Sequence, residues 1–469
     1  MVSTNEFVRL FSRAIQDDYA AIFAGAGLSR ASGFVDWRGL LKDFALDISL
    51  DISRETDLVE VAQFYCNEKK SRNVLNMHII DSFVSQSVYN ENIRILANLP
   101  IKTYWTTNYD SLIEDTLQGT GKRVDVKILP ESLTVTMSSS DAVVYKMHGD
   151  YRNPSNCVIT KDDYEAYASY RQLFITALQG DLVSKTFLFI GFSFEDPNLR
   201  YILSRIRILL GENVRTHYCF MRRIHKEDYS SNEEYEYSLN KFHLQINDLQ
   251  RYGIQAVIID EYSQIASILH LLQCRVLCKN IFISGAAYEY GVLGTQNGIK
   301  LIRELTHKLY CSNYKIITGH ARGIGSYVIS QVLEDCQLSI PALDKHLEIK
   351  AFPYQDKMNT DYDRMVHNYR VGIFKKAGIS IFLFGNKLEE NKLLLAKGMW
   401  KEYQIAKEYN RYIIPVGITG YVAKEIWNDV HNNIEEYPYL QNTIDNLNSE
   451  MDVEKLVQII IDIVTLLQV

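Results

Sequence analysis

The sequence predicts an α/β protein with two domains, each built on a parallel sheet. Short apolar runs of strand length alternate with longer amphipathic runs along all 469 residues, and this pattern favours parallel strands flanked by helices. A chain of this length has room for two or three domains, and the alternation starts again near residue 281. We therefore predict a first domain over residues 1–277 and a second over residues 278–469.

In the first domain, the apolar runs predict strands at Tyr19–Phe23, Thr103–Trp105, Ala142–Lys146, Phe187–Ile190, His217–Phe220 and Gln255–Ile258. The amphipathic runs between them predict helices, among them Asn5–Gln16, Asp163–Leu178 and Asn198–Leu210. One face of the last helix is apolar, with Leu199, Ile202, Leu203, Ile206 and Leu210. Pro197 suits its first turn, and Ser193 or Asp196 is placed to cap it.

In the second domain, the same pattern predicts strands at Ile281–Ser284, Lys315–Thr318, Leu347–Ala351, Ser380–Phe384 and Tyr412–Val416. Helices are predicted at Gly298–Tyr310, Ile324–Cys336, Tyr362–Lys376, Leu394–Tyr409 and Val453–Leu467. The last of these carries an Ile, Leu and Val face that is typical of packing against a core.

Composition excludes several classes of protein. The net charge of −7 disfavours nucleic-acid binding, which normally needs a basic surface. No run reaches the ~18 apolar residues of a membrane helix, and the N-terminus lacks the features of a signal peptide. The seven cysteines are scattered, so we expect a cytoplasmic protein with reduced thiols and no metal site.

A glycine-rich segment, Ala-Gly-Ala-Gly-Leu-Ser at residues 24–29, follows the first predicted strand and begins a helix. Glycines there allow a tight turn and a close approach of the backbone to a pyrophosphate. The start of the helix then offers N–H groups and positive potential to the phosphates. Taken alone, the segment is also consistent with an ordinary strand-to-helix turn.

Three further polar segments follow predicted strands, at residues 106–110, 146–150 and 191–196. In a parallel sheet the carboxyl ends of the strands meet at one edge, where ligands bind. We therefore expect Asn108 and His148 to lie near the glycine-rich segment. A single histidine in such a sequence is more often structural, but this convergence favours a role in a ligand site for His148.

These motifs together resemble the Sir2 (sirtuin) fold over roughly residues 1–277: Gly25-Ala26-Gly27-Leu28-Ser29 with Ser32-Gly33, then Thr107-Asn108-Tyr109-Asp110, then His148-Gly149. The resemblance implies that Asn108 contacts the nicotinamide ribose of NAD and that His148 is a general base. It also implies an NAD-binding set, in which Asp110 supports the loop and the last two residues contact the adenosine: Ala24, Gly25, Ala26, Gly27, Ser29, Asp110, Gly191 and Ser193.

The sequence departs from deacetylase sirtuins in two places. Their four-cysteine zinc module is missing, since only Cys157 and Cys219 occur in that stretch, and Val35-Asp36-Trp37-Arg38 replaces their Pro-Asp-Phe-Arg run. The pattern is similar to Sir2-like domains of bacterial defence proteins, which hydrolyse NAD. We then expect Asn108 to orient water and a ribose hydroxyl while His148 accepts a proton.

The second domain has a comparable arrangement. Ser284-Gly285-Ala286-Ala287 follows its first strand, and residues 318–326, with three glycines and Arg322, follow its second. By the same N–H argument this segment predicts a second phosphate cradle. A plain strand-to-helix turn is the alternative, although three glycines and an arginine are more than such a turn needs. Taken singly, downstream charged residues such as Arg370 are typical of a solvated surface.

This half of the chain is similar to SLOG domains, which are related to nucleotide-binding and cytokinin-activating (LOG) proteins. The glycine-rich catalytic loop of LOG enzymes is missing at Phe384-Gly385-Asn386-Lys387, which favours binding over catalysis. The resemblance implies two Rossmann-like domains in all, Sir2-like and SLOG-like. It also implies a signal-binding set: Gly285, Ala286, Gly319, Arg322, Gly323, Arg370, Lys387 and Glu402.

A Sir2-like domain followed by a SLOG domain resembles the effectors of Thoeris anti-phage defence. The resemblance implies a TIR-domain protein that makes a cyclic ADP-ribose isomer, an effector that then destroys NAD, and a homo-oligomer, either a tetramer or a filament. Two alternatives remain. A non-catalytic nucleotide-binding regulator is opposed by the retention of Asn108 and His148, and an NAD-dependent protein deacylase by the missing cysteines.

Overall fold

The computed structural model describes residues 1–30, 32–84, 89–192, 194, 196–352 and 361–468. The chain forms two compact units, Met1–Gln273 and Cys274–Val469. This division falls within a helix, Gln264–Leu277, whereas the sequence predicts a division after residue 277.

The described part of the first unit contains a parallel sheet of seven strands in the order β3-β4-β2-β1-β5-β6-β7. The strands are β1 (Ala20–Ala24), β2 (Thr103–Thr106), β3 (Val124–Lys127), β4 (Ala142–Lys146), β5 (Thr186–Ile190), β6 (His217–Arg222) and β7 (Ile254–Ile259). The α-helices of this unit are α1 (Thr4–Gln16), α2 (Ala26–Arg30), α3 (Trp37–Asp47), α4 (Leu58–Lys69), α5 (Asn73–Phe83), α6 (Glu91–Asn98), α7 (Leu112–Gly119), α8 (Lys161–Tyr170), α9 (Gln172–Ser184), α10 (Pro197–Leu210), α11 (Asn232–Gln250) and α12 (Gln264–Leu277).

The two central strands explain why this sheet is parallel and covered on both faces. Every residue of β1 and of β5 is buried, and such continuous apolar strands are typical of sheets with helices on both sides. The chain runs from β1 to β2 on one side and returns to β5 on the other. The carboxyl end of β1 therefore lies where the strand order reverses, which is where open α/β sheets form a ligand crevice.

The described part of the second unit contains a parallel sheet in the order β10-β9-β8-β11-β14 and a separate antiparallel hairpin, β12-β13. The strands are β8 (Asn280–Ala286), β9 (Lys315–Thr318), β10 (Leu347–Ile349), β11 (Ile379–Phe384), β12 (Asn386–Glu389), β13 (Lys392–Leu395) and β14 (Tyr412–Pro415). The α-helices are α13 (Gly294–Cys311), α14 (Gly325–Asp335), α15 (Ile340–His346), α16 (Tyr362–Phe374), α17 (Lys397–Glu408), α18 (Tyr421–Asn432), α19 (Asn446–Ser449) and α20 (Val453–Leu466).

The predicted α/β class with two parallel sheets is confirmed, and so are most of the predicted strands. Helix α10 forms as expected: Asp196 caps it by accepting a hydrogen bond from Leu199 N at 2.9 Å, and Pro197 occupies its first turn. Its apolar face is buried at Leu199, Ile202, Leu203 and Ile206.

Three local predictions differ from the structure. The helix predicted over Asp163–Leu178 is two helices, α8 and α9, because the chain bends at Arg171, whose buried guanidinium donates a hydrogen bond to Asn156 O at 2.8 Å. Strand β3 was not predicted. The predicted start of a helix at Leu394 lies instead in β13, whose four residues are exposed.

No helix within the described ranges is long and apolar enough to span a bilayer.

Candidate functional site

The strand register of the first sheet brings the predicted site residues to one edge. Ala24 at the end of β1 is aligned with Thr106 of β2 and with Ile190 of β5, and Thr106 is aligned with Lys146 of β4. The predicted site residues lie within two positions of these aligned strand ends. They are the start of the glycine-rich segment, Asn108, His148 and Gly191. The convergence expected from the sequence is therefore a property of the register.

The glycine-rich segment packs directly against the end of β5. Gly25 N donates to Ile190 O at 3.0 Å, and Gly27 N donates to Gly191 O at 2.9 Å. Gly191 has a positive φ of +65°, and a Cβ atom there would lie 2.1 Å from Leu28 N. Only glycine permits this approach. The N–H groups of Gly25 and Gly27 are thus used within the protein, which differs from the phosphate cradle expected from the sequence.

Asn108 is buried and fixed to the glycine-rich segment. Its Nδ2 donates to Gly25 O at 3.1 Å and to Ser29 Oγ at 2.9 Å, and its backbone N–H donates to Thr106 Oγ1 at 2.9 Å. The buried Oδ1 atom has no hydrogen-bond partner among the described residues. An unsatisfied buried acceptor costs free energy, so this oxygen is suited to a polar ligand.

His148 is almost completely buried, with 1% of its surface exposed. Its Nε2 lies 3.3 Å from Asp196 Oδ2, but neither ring nitrogen makes a well-aligned hydrogen bond to any described residue. Burial lowers the pKa of His148, although the Asp196 carboxylate opposes that change. The imidazole is therefore neutral near pH 7 and has a lone pair available to accept a proton.

From the sequence, Asp196 is predicted only as a helix cap. In the structure it has a second contact. Its Oδ1 caps α10, while its Oδ2 accepts a hydrogen bond from Tyr164 OH at 3.2 Å and faces His148. Strands β4 and β5 are separated by β2 and β1, a span of ~14 Å at ~4.8 Å per strand. The contact between His148 and Asp196 therefore joins the ends of two strands that are not neighbours, across the edge of the sheet that carries Asn108. Nothing in the sequence signals this contact.

Below these residues lies a cluster of buried charges. Burial raises the pKa of Asp110, whose Oδ1 accepts a hydrogen bond from Leu112 N at 3.0 Å and whose carboxylate is also bonded by Ser29. Lys146 is fully buried and contacts Glu114 Oε1 at 3.0 Å and Asp150 Oδ2 at 2.5 Å. Asp110 thus bonds to the start of α7, directly after the loop that carries Asn108, and its role in supporting that loop stays a prediction.

The remaining predictions for this unit concern Ala24, Ala26 and Ser193. Ala24 is the buried last residue of β1, and Ala26 is the half-buried first residue of α2. Ser193 lies outside the described residues. Within the described ranges, no group of three or more His, Cys, Asp or Glu side chains is arranged to hold a metal ion.

In the second unit, Glu402 and Arg370 form a buried pair at the carboxyl end of β8. Ser284 Oγ donates to Glu402 Oε2 at 2.6 Å, and Arg370 Nε lies 3.4 Å from Glu402 Oε1. Burial raises the pKa of Glu402, against the hydrogen bond from Ser284 and the charge of Arg370. The sequence selected Arg370 and Glu402 separately, whereas Ser284, which links them to the sheet, was missed as a polar partner.

The two loops of the second unit meet above β8 and β9. Ala287 N donates to Arg322 O at 2.9 Å, and a Cβ atom on Gly323, with φ +76°, would lie 1.8 Å from Ala287 O. Arg322 lies over the ring of Tyr288 at 5.0 Å. The other predicted residues lie in the same loops or strand ends: Gly285, Ala286 and Gly319.

Lys387 is exposed on the hairpin β12-β13 and pairs with Glu389 at 2.6 Å. The residue before it, Asn386, is buried and is not among the residues predicted from the sequence. Its Oδ1 accepts hydrogen bonds from Tyr288 N and Glu289 N, both at 2.9 Å. Asn386 therefore joins the base of the hairpin to the loop that follows β8.

A cavity of about 320 Å³ lies between α16 and α17 of the second unit. Arg370 is part of its wall, so the cavity is next to the buried pair with Glu402. The other lining residues were not predicted: Asp363, His367, Lys401, Gln404, Ile405 and Glu408. Most of them are charged or polar, and on these helices the sequence selected only Arg370 and Glu402.

Two family models match the chain. A model described as a SIR2-like domain matches residues 102–246, and one described as the Sir2- and TIR-associating SLOG family matches residues 264–467. Together with the two parallel sheets, these matches define the class of the protein: a Sir2-like domain followed by a SLOG domain.

Relatives narrow this class to one family. The chain is 41% identical to the NAD(+) hydrolase ThsA of Bacillus cereus (strain MSX-D12), with 98% of each chain covered. It is 42% identical to the protein of the same name from Enterococcus faecium, again with 98% of each covered. It also matches Defense-associated sirtuin 2 of Bacillus subtilis at 25% identity, over 44% of this chain and 21% of that protein. The chain belongs to the ThsA family of NAD(+) hydrolases.

The packing of Gly191 leads to a first prediction. Gly191→Ala is expected to destabilise the protein by about 2 kcal/mol or more, because alanine is strained at positive φ and its methyl group would overlap Leu28 N. Chemical denaturation measures this free energy of unfolding. Gly180→Ala is the matched control, since Gly180 lies in α9 and a Cβ atom there meets nothing within 4 Å. Equal effects of the two substitutions would contradict the packing described here.

Proposed function

We propose that this chain hydrolyses NAD+ to ADP-ribose and nicotinamide at the carboxyl edge of its first sheet. The observation that carries the proposal is the position of two buried groups, which both follow aligned strand ends beside the glycine-rich loop. One is Asn108 Oδ1, which has no hydrogen-bond partner among the described residues, and the other is the neutral imidazole of His148. The names of the relatives support the same substrate and reaction.

Hydrolysis of NAD+ requires few functional groups from the protein. Nicotinamide in NAD+ is a cationic ring, so the bond from its nitrogen to the ribose C1′ breaks with the electron pair moving to that nitrogen. Positive charge then develops on the ribose, and a water molecule forms the new bond to C1′ and loses a proton. The protein has to hold the ribose, place the water and accept that proton.

The two residues divide this work. The Asn108 Nδ2 hydrogen bonds to Gly25 O and Ser29 Oγ fix the amide plane and leave Oδ1 to accept a hydrogen bond from a ribose hydroxyl or the attacking water. His148 accepts the proton, directly or through that ribose hydroxyl. Because its pKa is lowered by burial, His148 is in its basic form at neutral pH.

Substitution of each residue tests the assignment. Asn108→Ala and His148→Ala are each expected to lower NAD+ consumption by ~100-fold or more, the usual effect of losing a positioned base or a near-attack geometry. The measurement is NAD+ loss by purified, folded protein, with and without an activating ligand.

Matched controls are available on α11, where Asn240 and His243 are exposed. Asn240→Ala and His243→Ala should consume NAD+ at the wild-type rate. Near-normal turnover in both of the active-site variants would remove Asn108 and His148 from the site.

The pH dependence supplies a second test. His148 must be neutral to act as a base, and its pKa is lowered from the usual value of 6.5, so activity should persist below pH 6.5 and fall only as the pH drops through the lowered value. Asp196→Asn removes the larger of the two charges that oppose this lowering, the other being Asp163, but keeps a side-chain oxygen to cap α10. The acidic limb of its kcat/KM profile should therefore move to lower pH, and a shift to higher pH would contradict the electrostatic account.

The second unit is proposed to bind the signal that controls this activity. Its ligand is a cyclic ADP-ribose isomer made by a TIR-domain protein, and its role is to switch on NAD depletion during phage infection in a homo-oligomer of the chain, either a tetramer or a filament. The description of the matched family as Sir2- and TIR-associating supports the link. The glycine-containing loops and the cationic Arg322 and Arg370 suit an anionic nucleotide.

Control by a ligand has a simple thermodynamic requirement. The ligand shifts the protein from an inactive to an active state only by binding the active state more tightly. The buried pair of Arg370 and Glu402 is suited to respond to such a ligand, because a nucleotide phosphate competes with the Glu402 carboxylate for the Arg370 guanidinium. Ser284 holds the carboxylate in place in the structure described here.

Substitutions in this unit test the signal site. Arg370→Ala and Lys387→Ala should each abolish activation by the cyclic ADP-ribose isomer, because each removes a cation from the anion-binding edge. The fold should persist, since the exposed pair of Lys387 with Glu389 contributes little stability and Glu402 can protonate when Arg370 is removed. NAD+ consumption is measured across a titration of each isomer.

Lys392→Ala is the control for the hairpin, because Lys392 is exposed opposite Glu389 in the same pair of strands. It should respond to the signal as the wild type does. A wild-type response in both Arg370→Ala and Lys387→Ala would exclude this edge as the signal site.

A further inference from the structure

A fully buried lysine lies between the two loops that carry Asn108 and His148. Lys146 is 0% exposed, and its Nζ lies 3.1 Å from Tyr109 O, 2.5 Å from Asp110 O and 2.5 Å from Asp150 Oδ2. We propose that Lys146 is a positioning residue, which fixes the loop of Asn108 relative to the loop of His148 and so sets the geometry for hydrolysis. This inference rests on the proposed NAD+ hydrolysis.

The contacts of Lys146 connect two segments that are far apart in the sequence. Tyr109 and Asp110 directly follow Asn108, whereas Asp150 lies two residues after His148 and Lys146 two residues before it. One ammonium group thus holds the backbone on one side of the site and a side chain on the other. Direct hydrogen bonds to backbone carbonyls matter here, because they act on the path of the loop itself.

A lysine in this place is costly and needs an explanation. A buried ammonium is tolerated only when it is paired and hydrogen-bonded, and Lys146 also contacts Glu114 Oε1 of α7 at 3.0 Å. Two carboxylates and two carbonyls therefore surround the group, which suits three N–H donors on a flexible stem better than a planar guanidinium. An apolar side chain would fill the same space without desolvating a charge. It would remove the hydrogen bond to Asp110 O, however, and leave Tyr109 O with only the hydrogen bond from Tyr151 N at 3.1 Å.

The same sheet contains a second buried ion pair formed by a lysine. It serves as a control that distinguishes a positioning role from a contribution to stability alone. Lys127 of β3 contacts Asp125 Oδ2 at 2.8 Å, and both side chains are at least nine-tenths buried. Within the described part of the chain, the hydrogen bonds of these two side chains go to Val135 O and Met137 N and not to the loops of Asn108 or His148. Removal of this pair should therefore affect stability without changing the geometry of the site.

The experiment compares two variants in which a buried lysine is removed together with the carboxylates that form ion pairs with it. In Lys146→Met with Glu114→Gln and Asp150→Asn, these three charges are removed, and the carbonyls of Tyr109 and Asp110 lose their hydrogen bonds from the ammonium group. In Lys127→Met with Asp125→Asn, the control, only the distant pair is lost. The measurements are kcat and KM for NAD+ in the presence of the activating ligand, together with the unfolding temperature.

We expect the triple variant to fold, with kcat reduced ~100-fold, since a shift of about 1 Å in a reacting group has an effect of that size. Its KM should stay within about threefold, because the substitutions leave the glycine-rich loop beside the proposed NAD+ site unchanged, and the control should keep the wild-type kcat. A merely structural lysine would instead change the unfolding temperature equally in both variants and leave kcat unaffected.

Three results would overturn the inference: a wild-type kcat in the triple variant, an equal loss of kcat in the control, or failure of the triple variant to fold, which would make Lys146 a residue required for folding. Failure of the proposed function is distinguishable. Asn108→Ala and His148→Ala would then retain activity, whereas failure of this inference alone leaves those two variants inactive and the triple variant active.

Discussion

The close packing of the glycine-rich loop against the end of β5 is the constraint on which the candidate active site depends. Gly25, Gly27 and Gly191 allow two backbone segments to approach within distances that a side chain would prevent. The loop is then fixed at the point where the strand order of the sheet reverses, and its carbonyl at Gly25 becomes the anchor for Asn108. The orientation of the amide oxygen follows from that anchor.

Electrostatics gives the edge its chemical character. His148 lies in a buried position where desolvation favours the neutral ring. Two carboxylates oppose this effect, Asp196 and more weakly Asp163, and Asp196 is also engaged as a helix cap and by Tyr164. The larger cluster of buried charged groups surrounds Lys146 rather than His148. This separation leaves the reacting region with a neutral base and an acceptor oxygen, which suits a substrate whose ribose gains positive charge as neutral nicotinamide leaves.

Much of this arrangement was predictable from the sequence, and the exceptions have a common cause. The alternation of apolar and amphipathic runs gave the class, and residues that directly follow strands, such as Asn108 and His148, were found because strand ends of a parallel sheet converge. Asp196, Ser284 and Asn386 were missed as contacts because their partners are 48, 118 and 98 residues away. Strand order decides such contacts, and a single sequence does not contain it. The hairpin β12-β13 was not predicted because its leucines are exposed and its sequence lacks the alternation of a half-buried strand. The end of β13, from Leu394, was instead assigned to the helix that follows.

The central claim is that Asn108 and His148 face the reacting ribose of NAD+. A crystal structure of the His148→Ala variant with NAD+ bound tests it most directly, since slow turnover preserves the substrate. The account predicts the nicotinamide ribose at the edge of the first sheet, with Asn108 Oδ1 within hydrogen-bond distance of a ribose hydroxyl or an ordered water below C1′. NAD+ bound elsewhere, or a ribose out of reach of that oxygen, would contradict it.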